Sequence, residues 1–233
     1  MRRLIVLFSV LAVLAVVLVA ADFIGGRVFE DRAGKAIQSR LGLEQPPSVQ
    51  VRDFPFLLSL ARERLSTVDV AATDFQASGV AIDDLQLTMR DVRVPRGLAF
   101  GRAGTVVVER ADGRARIVQE EVERLLGQKL KGATVRIDER GMQIEVRQEV
   151  FGREVDAVIR GTLAADKGRL VFTPTQVDAG GIPLPAAVLD QLKTQPFEYP
   201  LPELPGGLVP QKIITEPGAL VVTGSLGRME LDT

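Results

Sequence analysis

The chain has 233 residues, with no Cys, no His, no Trp and one Tyr, and its 29 basic residues nearly balance 30 acidic ones. Disulfides, thiol chemistry, a lipid-modified N-terminal Cys, the usual zinc ligand sets and a Ser-His-Asp triad are thereby excluded. A nucleic-acid binder of this size carries a basic surplus, and none is present here.

Arg2 and Arg3 precede residues 4–21, a run whose only polar member is Ser9, and Asp22 ends it. As a helix the run is about 27 Å long, close to the roughly 30 Å hydrocarbon thickness of a bilayer. Basic residues before it and none just after predict a cytoplasmic N-terminus and an exported body. Val19-Ala20-Ala21 also offers small residues for cleavage. Residues 1–21 are therefore either a signal peptide or an uncleaved signal-anchor transmembrane helix. The expected location is the cell membrane, single-pass with an extracytoplasmic domain, or the periplasm or envelope after cleavage. Residues 22–233 are expected to form one exported α+β domain, long enough to build a core without disulfides.

Residues 22–41 read as a second helix, with Phe29, Ala33, Ile37 and Leu41 on one face and Gly42 as its stop. Gly25-Gly26 is the expected break from the apolar run. Arg27, Arg32, Lys35 and Arg40 face either headgroups or solvent. Val49 and Val51 predict a strand, and Leu57, Leu58, Ala61 and Leu65 a short helix with Pro55 in its first turn.

The period then changes to two. Val68, Val70 and Ala72 alternate with polar partners, as do Leu85, Leu87 and Met89. Val92 and Val94 change parity, which predicts a bulge near Arg90-Asp91. Val106 and Val108 start another strand, and Ala111-Asp112-Gly113 reads as a hairpin or bulge turn. A helix is predicted over 119–130, with Val122, Leu125, Leu126 and Leu130 on one face. Antiparallel strands follow, turning at Glu139-Arg140-Gly141, Phe151-Gly152 and Asp166-Lys167-Gly168. A last helix is expected over 185–193. Residues 196–210, with five prolines, should be extended, and strands around Pro217-Gly218 close the chain.

No catalytic constellation emerges. Asp83 and Asp84 are neighbours in strand pattern and point to opposite faces. Glu120, Glu121 and Glu123 lie in the first turn of a helix, where acids cap. Lys129-Leu130-Lys131 suits a helix C-terminus or a phosphate. Neither a P-loop, a Gly-rich dinucleotide motif, a nucleophile elbow nor a calcium loop is present. No cofactor or metal is expected, and the protein reads as a binder and not an enzyme.

Three segments join large apolar residues to proline: Phe54-Pro55-Phe56-Leu57-Leu58, Gly181-Ile182-Pro183-Leu184-Pro185, and Leu201-Pro202-Glu203-Leu204-Pro205-Gly206-Gly207-Leu208. Proline removes a donor, so such segments are loops or edges. They either plug a core or line the mouth of a lipid cavity. In this order after an N-terminal membrane-targeting helix, and followed by Pro217-Gly218-Ala219-Leu220, they resemble the LmeA-like phospholipid-binding family of actinobacterial cell envelopes. The resemblance spans most of residues 22–225. It implies an extracytoplasmic phospholipid binder, in some members tied to maturation of mannosylated envelope glycolipids. It also implies a lipid-transfer-like fold, a curved antiparallel sheet wrapped around or packed on helices.

On that resemblance Phe54, Phe56, Leu57, Leu58, Ile182, Leu184, Leu201, Leu204 and Leu208 are the candidate lipid-binding residues. Each of a lipid's roughly 30 methylenes is worth about 0.8 kcal/mol on leaving water, but a bilayer already provides that burial. Selectivity must come from the headgroup, for which Arg suits phosphate. Arg52, Arg62, Arg64 and Arg90 are the candidates. The expected partners are phospholipid and membrane, with no nucleic acid; the sequence names no protein partner. Two other readings stay open: a membrane-anchored structural or adaptor domain binding envelope proteins, and a glycan-processing enzyme with two facing carboxylates.

Overall fold

The computed structural model describes residues 2–77, 79–99, 102, 104–128, 132–150, 153–166, 169–179, 182–183, 197–200 and 209–232. The chain is mostly antiparallel sheet with a few helices, as its alternating patterns predict.

Helix α1 runs unbroken over Arg2–Leu41. The expected break at Gly25-Gly26 is absent. Gly25 serves close packing instead: a Cβ there would lie 3.1 Å from Leu57 Cδ2, whereas one on Gly26 would make an ordinary contact, 3.7 Å from Phe56 Cγ. Gly42 ends the helix at φ +64°, and the Leu43 N–H donates to the Gln38 carbonyl at 3.1 Å. This is the glycine-terminated helix end that the sequence predicts. Among the described residues no helix is long and apolar enough to cross a membrane; the side chains of residues 2–11 and 13 lie outside that set.

Strand β1 (Ser48–Val51) leads to helix α2 (Phe56–Ala61) and to the long strands β2 (Arg64–Ala77) and β3 (Val80–Arg93). Leu65, expected on the short helix, begins β2 and is fully buried. Asp91 adopts φ +53° where the alternation changes sense, at the predicted bulge. The short helix α3 (Arg96–Ala99) precedes β4 (Thr105–Val118). Strand β4 passes straight through Ala111-Asp112-Gly113, so no hairpin forms there. Its buried set moves from Val108 to Ala111, Ala115 and Ile117, so the strand absorbs a one-residue change of face.

Helix α4 (Gln119–Gly127) is followed by β5 (Ala133–Asp138), β6 (Gly141–Val150), β7 (Arg153–Asp166), β8 (Arg169–Ala179), β9 (Ile182–Pro183) and β10 (Phe197–Pro200). Strands β11 (Val209–Glu216), β12 (Ala219–Leu226) and β13 (Met229–Asp232) close the chain. One sheet has the order β1-β2-β3-β4-β12-β11, with β13 also on β4; the other runs β10-β8-β7-β6-β5, with β9 also on β8. Among the described residues neither closes into a barrel. The helix expected over 185–193, Lys129-Leu130-Lys131 and the turns at Phe151-Gly152 and Lys167-Gly168 lie outside the described residues.

The chain forms two compact units: Met1–Ala72, Leu87–Ala111 and Gly227–Thr233 in the first, and Thr73–Gln86 and Asp112–Leu226 in the second. The first buries Val49, Phe56, Leu65, Val68, Val92 and Val108. The second buries Ile82, Val122, Ile137, Phe172 and the run Ala219-Leu220-Val221-Val222. A continuous apolar run fits a strand covered on both faces.

In the second unit α4 covers an edge strand. Strand β5 pairs with β6 on one side. On its other side Val135 N–H donates to Glu123 Oε2 at 3.0 Å and Ile137 N–H to Gln119 Oε1 at 2.8 Å. Glu121 accepts from Ala81 N–H at 2.8 Å and from Arg124. The expected capping role of these acids is thus corrected for Glu121 and Glu123. Val118 holds the N-cap position with no side-chain bond, and the carboxylates satisfy strand N–H groups that would otherwise lie unpaired.

Candidate functional site

The site is built in the first unit, where α1 meets α2. Positions 22, 25, 26 and 29 recur at three and four residues, so they share one stripe of α1. Small residues on that stripe let α2 approach. Asp22, only 6% exposed, sends Oδ2 to the Phe56 N–H at 2.8 Å and Oδ1 to the Leu57 N–H at 2.7 Å. These are unpaired donors of α2's first turn, and Pro55 supplies no side-chain cap. A residue 34 positions earlier in the chain does the capping. Phe56 then packs on Phe29, ring centroids 5.3 Å apart and inclined by 45°.

About two turns along α1 from Asp22, Glu30 Oε1 accepts the Val51 N–H at 2.7 Å. This holds β1 against the helix. Asp53 accepts the Ser66 N–H at 2.9 and 3.0 Å and the Ser66 hydroxyl at 2.8 Å. Asp22, Glu30 and Asp53 are therefore all engaged with backbone donors.

Between α1 and the segment 50–56 lies an open groove of about 860 Å³. Along α1 its lining passes from Ala15, Val16, Val19 and Ala20 through Asp22 and Phe23 to Arg27 and Glu30. The facing segment lines it with Gln50, Arg52, Asp53, Phe54 and Phe56. Arg27 stacks over the Phe23 ring at 4.3 Å, so a cation sits where the apolar lining ends. Arg52 pairs with Asp69. Burial pushes the Asp69 carboxyl up, but hydrogen bonds from Arg52 and Thr88 outweigh it and hold the group below its ordinary value. The volume falls within the range of about 300–1,000 Å³ typical of small-molecule sites.

The predicted residues fare differently. Phe56 is buried at the α1 contact, whereas Phe54 is 74% exposed and Leu57 and Leu58 are also exposed. Arg52 lines the groove. Arg62 and Arg64 instead line a smaller recess of about 240 Å³ with Glu63, Arg93 and Thr105, and Arg64 pairs with Asp91 at 3.2 Å. Arg90 is exposed on β3. Ile182 belongs to β9, opposite Ala179 of β8. Leu184, Leu201, Leu204 and Leu208 lie outside the described residues.

Asp22 and Glu30, which hold the site together, carry no motif. The spacing of Asp22, Gly25, Gly26 and Phe29 is the one signal that could have revealed the close approach. Among the described residues no cluster of three acids is placed to hold a metal ion. A family model described as LmeA-like phospholipid-binding matches residues 20–225. No curated protein and no solved structure matches the chain.

Proposed function

The chain belongs to the LmeA-like phospholipid-binding family, and on that premise we propose that it is an extracytoplasmic, membrane-anchored protein that holds a phospholipid in the groove between α1 and the segment 50–56. The observation that carries this reading is the polarity of the groove. Along α1 its lining changes from the apolar run 4–21 to Arg27 and Glu30, and Arg52 and Asp53 line it from the facing segment. The three acids of the lining are engaged with backbone N–H groups.

In this reading acyl chain lies along Val16, Val19 and Phe23, and the headgroup phosphate meets the guanidinium groups. Tail burial is already available in a bilayer, so the charged end sets preference. The run 4–21 inserts as an anchor with the body outside the membrane. The long antiparallel strands suit the curved, helix-wrapping sheet of lipid-transfer proteins; Phe54 of the first unit, and Ile182, Leu184, Leu201, Leu204 and Leu208 of the second, are the further lipid contacts this reading proposes. Presenting lipid to the machinery that matures envelope glycolipids fits such a binder, which needs no catalytic group of its own.

Extraction and mass analysis of lipid from the purified full chain, followed by exchange against phospholipid vesicles, tests the reading. One phospholipid retained per chain and exchangeable is the expected result. A lipid-free chain that takes none from vesicles overturns it.

A further inference from the structure

We infer that α2 and the turn before it form a bilayer-docking surface, with Phe54, Leu57 and Leu58 entering the headgroup layer of the membrane that holds the start of α1. This rests on the anchoring part of the reading above. The stripe of α1 that α2 covers at Asp22, Gly25, Gly26 and Phe29 continues back to Leu18 and Leu14. There it is bare: Leu18 is 61% exposed. Asp22 is therefore where the body stops packing on the helix. Before it Leu14, Val16, Val17, Leu18 and Val19 are exposed on several sides.

At that same level α2 turns apolar side chains outward. Leu57 is exposed beside Gly25 and Asp22, its neighbour Leu58 is exposed as well, and Phe23 and Ile24 are exposed in the same turn of α1 as Asp22. Contiguous exposed apolar side chains mark an interaction surface. A lipid bilayer is the occupant that continuity selects. Helix rise places residues 22–26 within about 7.5 Å of the end of the apolar run, and the interfacial layer outside the hydrocarbon core is about 5–7.5 Å deep on each side. The charges agree. Asp22, Glu30 and Asp53 are engaged with backbone N–H groups, while Arg27 projects over Phe23 and Arg62 caps the far end of α2. Basic residues flanking apolar ones suit phosphate headgroups.

The chain has no Cys, so one introduced Cys carries a unique label. The full chain bearing Leu58→Cys, Leu18→Cys or Glu139→Cys is labelled with an environment-sensitive fluorophore and reconstituted in vesicles of mixed phosphatidylcholine and phosphatidylglycerol. Neither Leu58 nor Leu18 lines the groove, so lipid held there mimics neither docking nor anchoring. Docking predicts blue-shifted emission and quenching by acyl-brominated lipid at 58 and at 18, several-fold above 139. Quenching at 18 with an aqueous label at 58 overturns docking and leaves anchoring intact. Aqueous labels at both overturn docking and anchoring together. Quenching at 58 alone overturns the anchor and with it the docking stated here. Lipid retention by the groove is read separately by extraction.

Discussion

Asp22 and Phe56, separated by 34 positions, are joined by a buried hydrogen bond of 2.8 Å from the Phe56 N–H to the Asp22 carboxylate. The second oxygen takes the Leu57 N–H at 2.7 Å. Asp22→Ala leaves both donors without a partner, and one buried unpaired donor costs about 1–3 kcal/mol. Amide exchange at Phe56 and Leu57 should accelerate and the unfolding midpoint should fall. Asp22→Asn keeps one acceptor and should land between the two.

Two glycines of α1 should respond in opposite senses to alanine. A Cβ on Gly34 would meet the Pro47 carbonyl oxygen at 2.7 Å. That atom is backbone and cannot swing away, so Gly34→Ala should cost about 1–3 kcal/mol. At Gly26 the nearest atom lies 3.7 Å off, an ordinary contact. Gly26→Ala should be neutral or stabilise by up to about 1 kcal/mol through helix propensity. Denaturant unfolding of both variants in one detergent checks the contrast.

Glu121 provides a pH test. The Arg124 guanidinium hydrogen-bonds it and, with Ala81 N–H, holds its carboxyl below the ordinary value of 4.5, against the upward push of burial. A depressed carboxylate stabilises above its unfolded pKa and loses that contribution as pH falls through the folded value. Glu121→Gln keeps an amide oxygen for the Ala81 N–H but loses the charge that pairs with Arg124, and should therefore lower stability at neutral pH. The gap from the parent should close in acid. Urea midpoints measured across pH decide it; a constant gap counts against the pairing.

At the groove, Arg52→Ala together with Arg27→Ala should reduce retained phospholipid about tenfold or more, since a charge-assisted hydrogen bond is worth about 1.5–3 kcal/mol. Arg110→Ala, exposed on β4, serves as the control. Lipid per chain after extraction is the readout, and equal retention in all three removes the headgroup role of the pair.

Much of the fold is legible because each strand face repeats every two residues. Val135 and Ile137 announce β5, and Met142, Ile144 and Val146 announce β6. The parity change at Arg90-Asp91 is visible for the same reason, as is the Gly42 helix stop. Ala111-Asp112-Gly113 misleads because its local chemistry is that of a turn, whereas strand neighbours carry β4 through it. Gly25-Gly26 misleads likewise, because glycine signals either a break or a close approach. Of the predicted site, Phe56, Leu57 and Arg52 stand at the α1 junction or in its groove, while Arg62 and Arg64 line a separate recess.

By itself the sequence determined the apolar run, the antiparallel character, the excluded chemistries and the family resemblance. Each follows from composition or from local order, which a linear reading carries intact. Only the tertiary structure decided that Asp22 caps α2, that Glu123 and Gln119 seal the edge of β5, and that a groove opens between α1 and the segment 50–56. Those pairings join residues far apart in the chain. A carboxylate's choice of backbone donor depends on which donors folding leaves unpaired nearby.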